Sequence, residues 1–504
     1  MRQYQKYKRY LFSFLCLFVL CWLFPYTGDD WAWGSSIGLE RLAGKFDNYN
    51  GRYFGNLVVL ALTRSNFLKS AVMAFCLTGI MWYVQYLTKK EWSFYACALL
   101  LLFTPKEISM QAIVWTSGFS NYTVSIFLSL IYIGCIYWIF DNPEEIDPSK
   151  LKQSWLQGIF LILLGLCSSM IMEYLTLYNL LLSIFVVGYV FYRFRTVLIQ
   201  HLCYLAGTAL GTFLMFSNSA YAAIANGTGN YRTVPQSILG YLYQACKNYL
   251  SVIYQQLYMF NLALNLAILI ALVFLYFFLF QKMRLGSKRQ SKIAFSCILI
   301  SVSFWMYSVL TLLIIGTSRK YPPLLVFEGF FTIAAALSVI IFSLIAAKLT
   351  HRMWKMLFLI CSIVIMVTPL LFVTPIGPRC FFPSYVLFIL FFVELCGMLP
   401  ADTLSAYSKK MVSAFAHAGI AAALVFYLAI FSHIYYVANE RVANARQKIA
   451  EGETTIELLE LPYRTFLWVS TPYEDQNLAE RFKLFYDLPL DITLVPVEQY
   501  SKSK

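Results

Sequence analysis

Charge is scarce in this chain. Only 13% of its 504 residues are Asp, Glu, Lys or Arg, while 60% are hydrophobic and 18% aromatic. A soluble protein of this length could not hide so much apolar surface, because most of its apolar runs lack a polar face. Histidine is nearly missing. His201, His351, His417 and His433 are scattered, which argues against a His-based zinc site. The twelve cysteines form no CxxC pair and no Cys/His cluster. Cys16, Cys21, Cys76, Cys97, Cys135, Cys167, Cys297, Cys361 and Cys396 fall within apolar runs, where cysteine acts as a small apolar residue and not as half of a disulfide. No short-period repeat is visible.

What is present is a succession of apolar runs at membrane-spanning length. In lipid, backbone groups must pair internally, so such runs are helices. A window of roughly 20 residues predicts an all-α polytopic membrane protein of about 13 transmembrane helices. They begin near residues 10, 67, 92, 120, 154, 175, 198, 259, 293, 328, 356, 383 and 412. The third, near 92–105, is short enough to be re-entrant, and the fifth and sixth divide around Glu173. The first run lacks a clear small-residue cleavage site and reads as a span, not a removable signal peptide.

The basic residues set the expected orientation. Lys and Arg cluster before the first run and in alternate loops: Lys89-Lys90, Arg193 and Arg195, Lys282 to Lys292, Lys348 to Lys355, and Lys409-Lys410. The positive-inside rule makes that side cytoplasmic, with the N-terminus there and the C-terminus extracytoplasmic. The net charge of +14 is then a topology signal, and no nucleic-acid partner is expected. The outer side receives the longer loops, 26–66, 106–121, 217–258, 317–327 and 375–383. Residues 1–437 form the membrane domain. Residues 438–504 form a small α/β cap, with a helix near 434–451, a strand at 454–461 and a second strand near 466–469.

Two adjacent carboxylates, Asp29 and Asp30, follow directly on the first run in Tyr26-Thr-Gly-Asp-Asp-Trp-Ala-Trp33. Charge at a membrane boundary needs a task or a partner. Neighbouring acids repel, so one should be paired or carry a raised pKa. Either suits a general base or a site for a divalent cation such as Mg or Mn, with Asp30 as its ligand. A solvated loop acid or a helix N-cap remains the plain alternative. The same loop carries Asn50-Gly51-Arg52. Arg52 suits a phosphate oxygen, or it balances one of the acids across an Asn50-Gly51 turn. Glu107, Gln111, Trp115, Asn121 and Tyr122 in the next outer segment suit a polyol, or an interfacial helix anchored by Trp115 and Tyr122. Glu173 is an acid at or inside the boundary. Arg232, Arg319, Lys320 and Arg379 add positive charge. Arg379 lies in the rigid break Pro375-Ile-Gly-Pro-Arg-Cys-Phe-Phe-Pro383, where it can hold an anionic head group or snorkel to ordinary lipid.

Taken together, these residues resemble a GT-C-type membrane glycosyltransferase. Within that superfamily the chain is most similar to bacterial glucosyltransferase-like proteins that modify wall polymers or O-antigen. The resemblance rests on Asp29 and Asp30 after the first span, Asn50-Gly-Arg52, Trp115-Thr-Ser-Gly-Phe-Ser-Asn-Tyr122, Glu173, and Gly377-Pro-Arg379. It extends to Arg446, Gly452 and Leu461-Pro462 in the tail. It implies a polyprenyl-phosphate sugar donor, a cell-envelope glycan acceptor and a bacterial plasma-membrane location. Asp29 would be the base, Asp30 its orienting partner or a metal ligand, and the arginines would hold the lipid phosphate. No Trp-Trp-Asp motif of oligosaccharyltransferases and no large periplasmic domain is seen, which favours a single-sugar donor. A transporter or flippase, a polysaccharide polymerase or ligase, and a non-catalytic scaffold remain the rival classes. The first predicts inverted repeats and polar residues at mid-membrane, the second a long outer loop late in the chain.

Overall fold

The computed structural model describes residues 2–140, 155–228, 233–315, 322–399 and 405–498. Among these, ten helices are long and apolar enough to cross a membrane, so the chain is an all-α polytopic membrane protein. Every predicted start has a helix near it, but three helices fall outside that set. Arg2–Trp22 carries several charges in its first half. Trp155–Ser168 has only 14 residues. Trp92–Leu102 is followed, after an 88° bend, by Lys106–Val114. Pro105 sits in that bend, because proline lacks the N–H and disfavours a helical residue before it.

The short Trp155–Ser168 helix runs parallel to Ile199–Phe216 at close range. Cys203, Gly207 and Gly211 recur every four residues and so share one face. A Cβ on Gly207 would lie 2.2 Å from the Ile162 carbonyl oxygen, and one on Gly165 would lie 2.6 Å from that of Tyr204. Backbone touches backbone only because those side chains are missing. A separate helix, Glu173–Phe194, begins after the break at 169–172, so the division around Glu173 holds.

Between the first helix and Asn66–Thr88, the chain makes the helices Asp29–Gly34, Ser36–Ala43 and Tyr53–Leu62. At the far end of the chain, Ala406–Ala450 is one helix of 45 residues. At 1.5 Å per residue it is about 68 Å long, roughly twice the hydrocarbon thickness, so one half must leave the bilayer. The boundary expected at 437/438 therefore falls inside a continuous helix. Beyond it come β1 (Thr455–Leu459), the helix Gln476–Phe485 and β2 (Thr493–Val497). The strands are parallel, with Thr455 opposite Thr493.

The second strand expected at 466–469 is instead a turn. Arg464–Phe466 is a single 3-10 turn, and Tyr463 and Val469 have φ of 52° and 43°, which no strand accepts. The small core of this module joins Ile456, Leu458, Phe482 and Ile492 to Val442 and Ala445 of the long helix. Leu488 and Leu494 belong to it as well, and its largest member, Trp31, comes from the first loop.

The glycine contacts give a direct check. Gly207→Leu forces two helices apart and should cost at least about 2 kcal/mol, at the upper end of ordinary overpacking. Gly188→Leu, where an added Cβ would meet nothing within 4 Å, should be near neutral. Thermal unfolding of the detergent-purified chain separates the two, and equal shifts would refute the close approach.

Candidate active site at the first-loop corner

The corner begins at Gly28, whose φ of 55° and ψ of −120° suit glycine. A Cβ there would lie 3.2 Å from that of Val469 in the C-terminal module. The next two residues, Asp29 and Asp30, start one helix yet meet opposite surroundings.

Asp30 is fully buried. Its carboxylate accepts from the backbone N–H groups of Thr27 (3.3 Å), Thr116 (3.3 Å) and Ser117 (2.8 Å), and from the Ser117 hydroxyl (2.5 Å). It thus satisfies free amides where the backbone restarts a helical turn after Trp115. Burial pushes its pKa up to about 6, although these donors and the nearby Lys69 ammonium pull the other way. Lys69, in the first turn of Asn66–Thr88, is also fully buried. Its Nζ donates to the Phe24 carbonyl at 2.5 Å and lies 4.3 Å from the centre of the Tyr26 ring.

The expected roles of Asp30 are corrected accordingly. Donors occupy both of its oxygens, so the lone pairs a cation would need are already used, and the carboxylate is shut off from solvent. Asp30 ties the first loop to the 116–117 segment. The residues present do not suit a divalent ion at Asp30. Among the described residues no group of three His, Cys, Asp or Glu side chains is placed to hold one.

Asp29 is the accessible acid, with its side chain about half exposed. Its Oδ1 accepts from Arg481 Nη1 at 3.0 Å, across 452 positions of sequence. Tyr49 lies within electrostatic reach of Asp29, Arg52 and Arg481 together.

Arg379 sits in the Pro378–Phe381 turn. Its Nε donates to the Tyr122 hydroxyl (3.1 Å) and its Nη1 to Gln111 Oε1 (2.9 Å). The guanidinium lies 5.7 Å from the ring centre of Trp115 and 5.4 Å from that of Trp468. The two indoles are 6.0 Å apart. Trp115 is buried, and its Nε1–H has no hydrogen-bond partner among the described residues. An unpaired buried donor costs about 1–3 kcal/mol, so it marks a place where an acceptor belongs.

Other predicted residues divide in two. Arg52 and Glu173 find each other, in a bidentate pair at 3.0 and 2.9 Å, with Tyr221 donating to Glu173 at 2.7 Å. The balancing of Arg52 by Asp29 or Asp30 is thus replaced by a partner from the Glu173–Phe194 helix. Asn50 is a turn residue: its side-chain oxygen accepts from Arg52 N and from Asn56 Nδ2, both at 3.0 Å. Asn121 donates to the Ser117 carbonyl, while its own Oδ1 is buried without a partner among the described residues. Glu107 pairs with its neighbour Lys106 at 4.0 Å, on a turn that packs against Pro378–Phe381. Arg232, Arg319 and Lys320 lie outside the described residues.

Beside this centre runs an apolar cavity of about 480 Å³ between the first helix, the bent pair and the final long helix. Phe12, Leu17, Phe94, Ile113, Leu424 and Phe431 typify its walls. Lys106 lines it on the side of the bend, and Arg9 lines it near the start of the first helix.

Sequence reasoning did not single out Lys69, Ser117, Trp468 or Arg481; it did name Gln111, as a polyol contact, where the structure makes it a partner of Arg379. Lys69 carried a signal, being a charge in the first turn of an apolar run. The tail residues carried a weaker one, since Leu478, Phe482 and Phe485 form a helical stripe that must find a partner. Comparison with protein-family models, with curated proteins and with solved structures finds no match to this chain.

Asp30 supplies a pH test. Its folded pKa of about 6 lies above its ordinary value of 3.8, so the folded chain holds the proton more tightly. Its contribution to stability is full below pH ~4 and is lost as pH rises through about 6, a change of roughly 3 kcal/mol. The stability of the natural chain relative to Asp30→Asn should therefore fall between pH 4 and 7 in thermal unfolding. A relative stability that grows with pH would show that the four donors outweigh desolvation.

Proposed function

We propose that this protein is a membrane glycosyltransferase of GT-C type. It transfers one sugar from a polyprenyl-phosphate donor to a cell-envelope glycan outside a bacterial plasma membrane. In this reading the chain crosses the membrane 13 times, with the N-terminus cytoplasmic and the C-terminus extracytoplasmic. The observation that carries it is the placement of one accessible carboxylate, Asp29, in a corner shared with the Arg379 cluster beside an apolar cavity. Base, cation and lipid-sized groove are the three parts that such a transfer requires.

The donor's prenyl chain lies along the groove, with Lys106 at its wall and Arg379, on the turn packed against Lys106–Ser109, toward its phosphate. Gln111 and Tyr122 hold the Arg379 fork, and the Trp115 N–H supplies a further donor. An acceptor hydroxyl approaches Asp29 at Oδ2, since Oδ1 is engaged by Arg481. Its oxygen attacks the anomeric carbon from the face opposite the phosphate. A carbon–oxygen bond forms there as the bond to the phosphate oxygen breaks. The hydroxyl proton passes to Asp29, and polyprenyl phosphate leaves with the bonding pair. Positive side chains and N–H donors stabilise the charge that develops on it. The result is inversion, with no covalent enzyme intermediate.

Asp29→Asn keeps the shape of the corner and removes the base. Transfer should fall by about 100-fold or more, the ordinary contribution of a general base. Wall-glycan composition is the readout in a deletion strain and in an Asp29→Asn strain. If both retain every sugar substituent, the chain is not this transferase.

A further inference from the structure

We propose that the C-terminal module supplies the acceptor side of the site, with Trp468 as the face on which a sugar ring of the glycan stacks. Arg481 is then the positioning residue for Asp29. The inference rests on the transferase reading for its ligand class, but its geometry is independent of the lipid donor.

The module is fastened to the corner at four separate points. Arg481 reaches Asp29 at 3.0 Å. Phe482 meets Trp31 edge-on, with ring centres 5.2 Å apart at 90°. Phe485 lies 5.3 Å from Tyr26 and fills the space where a Cβ on Gly34 would fall, 2.1 Å from its ring. Val469 presses on Gly28. A module that served only as an external cap would not need to reach Asp29, the accessible acid of the pair.

The chain at 463–469 also departs from easy backbone geometry. Val469, a β-branched residue, has φ of 43°. Such residues are strained there and persist only where surrounding contacts impose the conformation. The consequence is the placement of Trp468. Its indole is brought beside Trp115 and over Arg379, and the next residue touches the glycine that precedes Asp29.

Trp468 remains partly exposed, whereas Trp115 is buried. A partly open indole bordered by a guanidinium offers an apolar plate with a polar group at its rim. A pyranose has the matching surface, with C–H bonds on its faces and hydroxyls around its edge. A ring resting on Trp468 would sit on the segment whose next residue, Val469, touches Gly28, the residue before Asp29.

The test uses the natural full-length chain in detergent micelles. Tryptophans are oxidised with N-bromosuccinimide, with and without purified envelope glycan fragments, and oxidation is mapped by mass spectrometry. Glycan should reduce oxidation of Trp468 by roughly tenfold, while Trp155, which is highly exposed, is unprotected. Trp468 oxidised equally with and without glycan overturns the inference. A second measurement removes the aromatic face but keeps apolar bulk. Trp468→Leu should lower the ratio of sugar transfer to donor hydrolysis by roughly tenfold, and Trp468→Phe should restore most of it. Leu490→Ala, on the exposed surface of the same module, should leave that ratio as it is.

The two readings separate cleanly. Protection of Trp468 in a chain that transfers no sugar keeps the acceptor site and removes the transferase. Transfer without protection, or with a ratio insensitive to Trp468→Leu, keeps the transferase and removes this site.

Discussion

The structure depends on a buried carboxylate that is surrounded by hydrogen-bond donors. Asp30 carries four hydrogen bonds from three residues, two of which lie 86 and 87 positions away. Each bond to a charged group contributes about 1.5–3 kcal/mol. Removing a carboxylate from water costs several kcal/mol by itself. The two are of similar size, and the raised pKa shows desolvation ahead. Asp30 therefore adds little net stability. What it fixes is register: the first loop and the bent 106–123 segment can meet in one way. Lys69 beneath it, held by the Phe24 carbonyl and the Tyr26 ring, keeps a positive charge near the buried acid.

Everything else at the corner follows from that clamp. Once Thr116 and Ser117 are tied to the first loop, the preceding Trp115 stands against Arg379. Once Asp30 is drawn inward, the helical backbone turns Asp29 outward, because adjacent residues on a helix point about 100° apart. The outward acid meets Arg481, and Trp31 completes the core of the C-terminal module. One side chain thus sets the positions of two halves of the chain that lie more than 400 residues apart in sequence.

The membrane class was legible in the sequence because hydrophobic length is a local property. The runs at 67, 120, 175, 198, 259, 293, 328, 356, 383 and 412 all became helices of spanning length. The run near 92 was legible as too short for an ordinary span, and Pro105 marks where it bends. The Asp29-Asp30 dipeptide was legible as charge that needed a partner, placed beside an apolar run. Its division of labour was not, since the two residues differ only in what the distant segments 116–117 and 481 bring to them. The same limit hid the Arg52–Glu173 pair, whose members are 121 residues apart. It also hid the true partner of β1, because parallel strands require a crossover, and proximity in sequence had favoured 466–469.

Arg52 and Arg379 show why pairing matters more than residue type. Both are arginines near Tyr122, and both looked suited to phosphate. Arg52 grips a carboxylate in a bidentate fork and is screened by it. Arg379 is oriented by an amide oxygen and a phenol, neutral groups that fix the direction of its fork. Its charge is further flanked by two indole faces, which attract a cation without competing for an anion at the guanidinium edge. Under the proposed transfer Arg379 is the group expected toward the lipid phosphate, whereas loss of Arg52 breaks its bidentate pair with Glu173 and acts first on folding.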